Sequence, residues 1–317
     1  MEELRMSKRV LLIAGGGTLG TYTANELLAL GHEVDIICPE EKISGHPKLH
    51  FIRSLATKEL LEELFAKVHY NGIVNFIHYE NIEEYDAIHP LLIRNTDHLI
   101  FLSSYRVYDN LQIPITESAP RLYDTTEDMD FLKNENYAIR KAMGEDYLRA
   151  KHQGEPWTIV RPVISLSQYR LDLYTHSRRA PLDAATSGKS LPIPAIAKDL
   201  HAGLDWAGNS GKLIAHLLFK PETFGEAYTV SSAQNLTWGE VAEIYHELIG
   251  LNIDWCSEEE FLERAPECHT THKWVYKYDR LFDRNIDNSK ILSATGLKKS
   301  DFLPLKEGIR IELEKLN

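Results

Sequence analysis

Tyr137 and Lys141 stand four apart in ENYAIRKAMGEDYL, at 135–148. On an α-helix that spacing brings two side chains to one face. A phenol whose unperturbed pKa is about 10 is a poor base at neutral pH, and a nearby positive charge favours its ionised form. Tyrosine beside lysine is therefore a pair that can move a proton. The pair needs a group to hold the oxygen from which the proton moves. IFLSSYRVYDN, at 100–110, runs from an apolar stretch into Ser103 and Ser104. A serine at the carboxyl end of a strand faces the crevice where open α/β sheets bind ligands. There Ser104 can hold a substrate oxygen while Tyr137 acts as general acid and base.

A second constellation lies in LLIAGGGTLGTYTANELLALGHEV, where Gly15, Gly17 and Gly20 spell G-x-G-x-x-G. The first glycine permits a tight turn, the second lets backbone N–H groups approach a pyrophosphate, and the third lets helix and strand pack closely. The helix that opens at Leu19, just after Thr18, favours the anion's charge at its N-terminus. The expected ligand is a dinucleotide. Its ribose is usually met by an acid at the end of the second strand. Here that end is Cys38, followed by Pro39, Glu40 and Glu41. Asp35, three residues earlier, falls on the other face of an ideal strand. No Arg or Lys stands between Cys38 and Lys42, and a 2′-phosphate would meet two carboxylates. NAD is expected over NADP.

Short apolar runs alternate with helical patterns around these residues. Strands are expected over 10–14, 33–38, 49–52, 73–77, 99–102 and 157–162, and helices over 19–30, 58–68 and 134–152. About twenty residues between 77 and 99 read as a short connection. Such alternation predicts an α/β fold, a Rossmann-type doubly wound parallel sheet. Beyond Pro162 the pattern loosens. Residues 163–200 read as irregular, followed by a helix over 213–219, a strand over 227–230 and a helix over 237–248. Thr237 and Glu240 suit a capping box on that last helix. The expected division is a dinucleotide-binding unit over 8–165 with about 200–235, and a smaller C-terminal substrate-binding region over 166–199 and 236–317.

The order of glycine turn, Ser-x-x-Val-Tyr, Tyr-x-x-x-Lys and TIVRP resembles the extended short-chain dehydrogenase/reductase superfamily, in its branch of NAD-dependent sugar epimerases and dehydratases. ITESAP at 115–120, GEAYTV at 225–230 and TWGEVAEIYHELIG at 237–250 are similar to further stretches of it. The resemblance implies Ser104, Tyr137 and Lys141 as the catalytic set, with Lys141 also holding the cofactor ribose. It implies that Cys38, His78, Ser103 and Pro162, at strand ends, line the cofactor with Tyr137, Lys141 and the glycine turn. Ser104, Tyr105 and Arg178 are expected to touch substrate, and Arg170, Arg178, Arg179 and Lys189 are candidates for a diphosphate. The implied activity is epimerisation of a nucleotide-activated sugar through a transient keto intermediate. A reductase or dehydrogenase of the same superfamily is the alternative. A non-catalytic nucleotide- or RNA-binding relative is the reading from another class, and a homodimer is possible.

Four departures stand out. Ala14 occupies the first glycine of the family's commoner loop, Asp109 replaces the glycine after Val107-Tyr108, and VISLSQ at 163–168 replaces a VYGP-like run. Tyr105 and Arg106 stand where the family's dehydratases carry Asp-Glu and its decarboxylases a glutamate, so neither elimination nor decarboxylation is expected.

Bulk properties exclude other classes. A net charge of −12 repels phosphate backbones and makes nucleic acid a poor partner. No apolar run approaches the roughly 20 residues that span a bilayer. The opening MEELRMSKRV lacks a leader's apolar core, and three unspaced cysteines suit a reducing compartment, so the cytoplasm is expected. Cys268, His269 and His272 would need Cys256 to complete a zinc site, and no metal is expected.

Overall fold

The computed structural model describes residues 7–177 and 179–316. Six strands, β1 (Arg9–Ile13), β2 (Glu33–Cys38), β3 (Leu49–Arg53), β4 (Gly72–Asn75), β5 (Leu99–Leu102) and β6 (Trp157–Pro162), occupy the apolar runs of the first half. β1, β4 and β5 are buried on both faces, as strands covered by helices on either side must be. Beyond them come β7 (Ile164–Leu166), β8 (Ser190–Pro194), β9 (Leu204–Trp206), β10 (Ala227–Val230) and β11 (Asn252–Cys256). The main sheet has seven strands in the order β10-β6-β5-β4-β1-β2-β3, every pair parallel. The order reverses between β1 and β4, and their carboxyl ends open the crevice where such sheets bind ligands.

The crossovers include α1 (Thr18–Ala29), α2 (Lys58–Phe65) and α3 (Ile82–Arg94). α3 fills the span read as a short connection. Two parallel neighbours cannot be joined without a crossover of a dozen or so residues. Pro90 inside α3 masks its helical pattern, and Asn81 caps its start by accepting from Glu84 N–H. The tyrosine helix runs over Ala138–Lys151, starting later than the expected 134. Glu135 sets that start: its Oε2 accepts from the N–H groups of Tyr137 and Ile139, each at 3.0 Å.

The stretch read as irregular contains two strands. β7 pairs with β9, and β8 pairs with β11, both parallel. Pro192 and Pro194 hide β8 in the sequence, since proline cannot donate to a ladder. The helix expected over 213–219 begins earlier, at Ala207, and runs to Leu217. It lies directly on α1: a Cβ on Gly211 would stand 2.5 Å from the Tyr22 carbonyl carbon. Helix Trp238–Ile249 has the capping box of Thr237 and Glu240. In helix Leu305–Glu314 the buried Glu312 accepts from the Tyr22 hydroxyl, from Trp206 Nε1 at 2.8 Å and from Gln168 N–H at 2.8 Å. This one carboxylate ties α1, β9 and the segment after β7 together. Among the described residues no helix is long and apolar enough to cross a membrane.

Candidate active site

The carboxyl ends of β1, β4, β5 and β6 and Tyr137, the N-cap of helix Ala138–Lys151, border a cavity of about 470 Å³. The glycine turn contributes Ala14, Gly17, Thr18, Leu19 and Gly20 to its wall. The tight turn falls on Ala14, whose φ of 55° lies in the left-handed region, and not on Gly15 as the sequence suggested. Gly15 is bare for another reason: a Cβ there would meet Leu12 Cβ at 2.7 Å. At Gly20 a Cβ would stand 2.2 Å from the Gly15 carbonyl oxygen, so α1 packs on the turn. A Cβ at Gly17 would meet nothing within 4 Å. Nothing in the protein requires a glycine there, and the bare backbone facing open space is what a diphosphate cradle needs.

A neighbouring cavity of about 550 Å³ is walled by Gly16, Gly17, Thr18, Glu40, Lys42 and Arg170 among others. Cys38 is buried, with its thiol 3.7 Å from the Glu40 carbonyl, and does not line this space; Glu40 does. Asp35 faces the opposite side, as strand alternation requires, and is held by Arg9 Nε at 3.0 Å and Tyr70 Oη at 2.6 Å. The sequence pointed to no cation at this end, yet Lys42 folds back to donate to the Gly16 carbonyl.

Ser104 and Tyr137 both line the first cavity. Ser104 Oγ accepts from Arg106 N–H at 3.2 Å, which fixes its rotamer at the start of the single turn Tyr105–Val107. Lys141 lies beneath the cavity, only 3% exposed. Its Nζ donates to the carbonyls of Leu102 at 2.7 Å and Ile77 at 3.2 Å and stands 6.0 Å from the Tyr137 ring centre. Burial pushes its pKa down to about 7, against the attraction of Glu145. Ser103 lines the cavity, with its hydroxyl donating to Glu145 at 2.6 Å. Burial alone would neutralise Glu145, but Arg161, at 2.6 and 2.8 Å, holds it ionised with a pKa of about 2.

Residues 11–195 match the NAD-dependent epimerase/dehydratase family. The chain belongs to that family. No curated protein sequence matches it. Solved structures share its fold at low identity. A putative epimerase from Burkholderia cenocepacia is 16% identical, with 98% of this chain and 99% of that one covered, at a TM-score of 0.72. Bordetella bronchiseptica WbmG in complex with NAD is 15% identical over 99% and 95%, with a TM-score of 0.69. The UDP-glucose 4-epimerase of Thermotoga maritima, solved with UDP-glucose, is 13% identical over 97% and 98%, at 0.69.

Other expected residues of this epimerase/dehydratase family member are placed as follows. Pro162 and Tyr105 line the cavity, and Arg284 sits 5.2 Å over the Tyr105 ring. His78 stands 5.2 Å from the Tyr137 ring, behind the cavity wall, with Nδ1 unpartnered. Burial first, and Lys141 second, lower its pKa and keep it neutral. Arg170 borders both cavities, while Arg179 and Lys189 are exposed. Arg178 lies outside the described residues. Cys256 contacts the Ile193 carbonyl, and among the described residues Cys268, His269 and His272 form no ligand group. The grouping of Glu33, Asp35 and His50 already holds the Arg9 guanidinium. Sequence reasoning missed Glu145, although it stands four residues past Lys141 on the same helix face. It also missed Val275, Asp279 and Arg280, which reach the cavity from the far end of the chain with no local signal.

Proposed function

We propose that this chain is an NAD-dependent epimerase of a nucleotide-activated sugar, acting through a transient keto form of the sugar. The observation that carries the reading is one shared cavity: the glycine turn and the hydroxyl pair Ser104 and Tyr137 open into the same space. The turn formed by Gly15, Gly17, Thr18, Leu19 and Gly20 holds the cofactor diphosphate, and Glu40 receives the ribose. NAD, the family's cofactor, supplies a reversible hydride acceptor.

The chain's own residues handle the proton. Ser104 holds the substrate oxygen, and Tyr137 takes its proton and later returns it. Lys141 uses two of the ammonium's three donors on strand-end carbonyls, which leaves one for the site above it. Thr18 Oγ1 lies 2.8 Å from Ser167 Oγ, joining the glycine turn to the segment after β7. A reductase would use the same residues but consume NADH, and the product test below separates it from epimerisation. Tyr105 and Arg106 supply no carboxyl acid or base, so elimination and decarboxylation stay outside the proposal.

Mass spectrometry of small molecules released from the purified protein is expected to find NAD. With a panel of nucleotide hexoses and hexuronates, the expected product is an epimer without net NADH. Tyr137→Phe should retain NAD and lose turnover by roughly 10²-fold or more. Full activity in a folded Tyr137→Phe protein would overturn the assignment.

A further inference from the structure

Arg106 lines the cavity two residues beyond Ser104, with its guanidinium 5.0 Å over the ring of Tyr137. Its backbone N–H already fixes Ser104, so its side chain sits at the reacting end of the site. A guanidinium has five N–H donors. Here Nη2 donates to Glu135 Oε1 at 3.1 Å, while Nε is buried with no partner. Glu135 has little more to offer, since its other oxygen takes the N–H groups of Tyr137 and Ile139. The nearby Asp279 is occupied as well, by Arg280 and by Arg284 Nε at 3.2 Å. Arg280 and Arg284 thus hold Asp279, with the buried Asp172 also close to Arg280, and Arg106 is paired with Glu135. That pair leaves Nε of Arg106 without an acceptor among the described residues, and a guanidinium at the cavity wall with unfilled donors favours an anionic ligand group.

We propose that Arg106 receives a carboxylate on the sugar itself, so that the site takes a nucleotide-activated uronate. The inference rests on the nucleotide-sugar reading above and narrows its substrate class. The diphosphate is not the better occupant. Arg106 lies against the two hydroxyl groups that act on the ring, and the sugar itself separates that point from its diphosphate, whereas Arg170, paired with Asp172 at 2.6 Å, borders the cofactor turn at Gly17 and Thr18. A planar carboxylate also matches the guanidinium fork, which a single neutral hydroxyl does not.

The test compares matched pairs of nucleotide hexose and nucleotide hexuronate, carried on UDP, GDP and dTDP. Turnover is followed in the wild type, Arg106→Gln and Arg106→Lys, and binding is measured in the Tyr137→Phe background. The wild type should prefer a uronate at least about 10-fold in kcat/KM. Arg106→Gln should lower uronate kcat/KM by roughly 100-fold, chiefly through KM, while the loss on the neutral hexose, from removing the cation beside Tyr137, should fall on kcat and be at least about 10-fold smaller. Arg106→Lys should fall between the two. Retained NAD and an unchanged melting curve show that the variants are folded. Equal losses on acid and hexose, or a wild type indifferent to the acid, overturn the proposal and leave the epimerase reading standing. Uronate binding that depends on Arg106 without any epimer sinks the reaction but keeps the recognition. If no nucleotide sugar binds, both fall.

Discussion

Gly17 and Ala14 sit three residues apart in one turn and answer to different constraints. Ala14 adopts a left-handed φ that costs an L-residue roughly 1–2 kcal/mol, and the fold carries that cost. Gly17 has φ −86° and ψ −166°, extended geometry open to any residue, with free space where a Cβ would go. Gly17→Val should therefore fold, with about 1 kcal/mol lost because valine caps α1 less well than glycine, while losing NAD affinity by about 100-fold or more, because the branched side chain fills the diphosphate's place. Calorimetric titration with NAD on a folded variant checks this; unchanged affinity would remove the turn from the site. At this scale Ser104, Tyr137 and the glycines were legible because each belongs to a local pattern. Arg106 and Glu145 were not, since their partners Glu135, Ser103 and Arg161 meet them only after folding. The inward turn of Cys38 was not legible either, because the end of a strand does not say which way its side chain turns.

α3 and the segment entering β5 each carry a buried histidine, and together these make stability depend on pH. His89 in α3 stacks on Tyr85 with centroids 4.4 Å apart and has no partner for either nitrogen. His98, just before β5, accepts from Phe219 N–H at Nδ1 and meets Thr158 Oγ1 through Nε2, an arrangement that a second ring proton would break. Burial, with His152 and Lys8 as lesser causes, lowers the two pKa values to about 3. Unfolded, both would titrate at about 6.5. Below that pH the unfolded chain takes up protons that the folded chain refuses, so stability falls as pH drops from 6.5 toward 3. The limiting slope is about 1.4 kcal/mol per pH unit for each histidine. Asp205, pushed up to about 6 by burial, works in the opposite direction below pH 6 and reduces the net effect. Urea midpoints should therefore fall between pH 7.5 and 5.5, and His89→Leu should flatten the profile. A pH-independent midpoint would contradict the buried, neutral state. The same elements show where sequence patterns stop. Strands covered on both faces are legible as apolar runs, but α3 holds a proline and β8 holds two.

The whole molecule is acidic, yet the candidate active-site cavity is lined by Arg106, Arg170 and Arg280 against one carboxylate, Asp279. Composition can report the first fact and is blind to the second, because the three arginines come from segments about sixty to one hundred residues apart. The parallel architecture was legible from the alternation of runs. The pairing of β8 with β11 and of β7 with β9 was not, since partners distant in sequence leave no periodic trace. The placement of β10 beside β6, and of helix Ala207–Leu217 along α1, has a practical meaning for anyone who would cut the chain. The family match ends at 195, but a fragment ending there would leave β6, buried along its whole length, as a bare edge and strip the cover from one side of α1. Exposed edges of that kind recruit other chains. Such a fragment should aggregate on expression, and a soluble monomer with a cooperative melt would show otherwise. The smallest piece able to stand alone is thus drawn by which surfaces must be covered, and it reaches past the last recognisable motif.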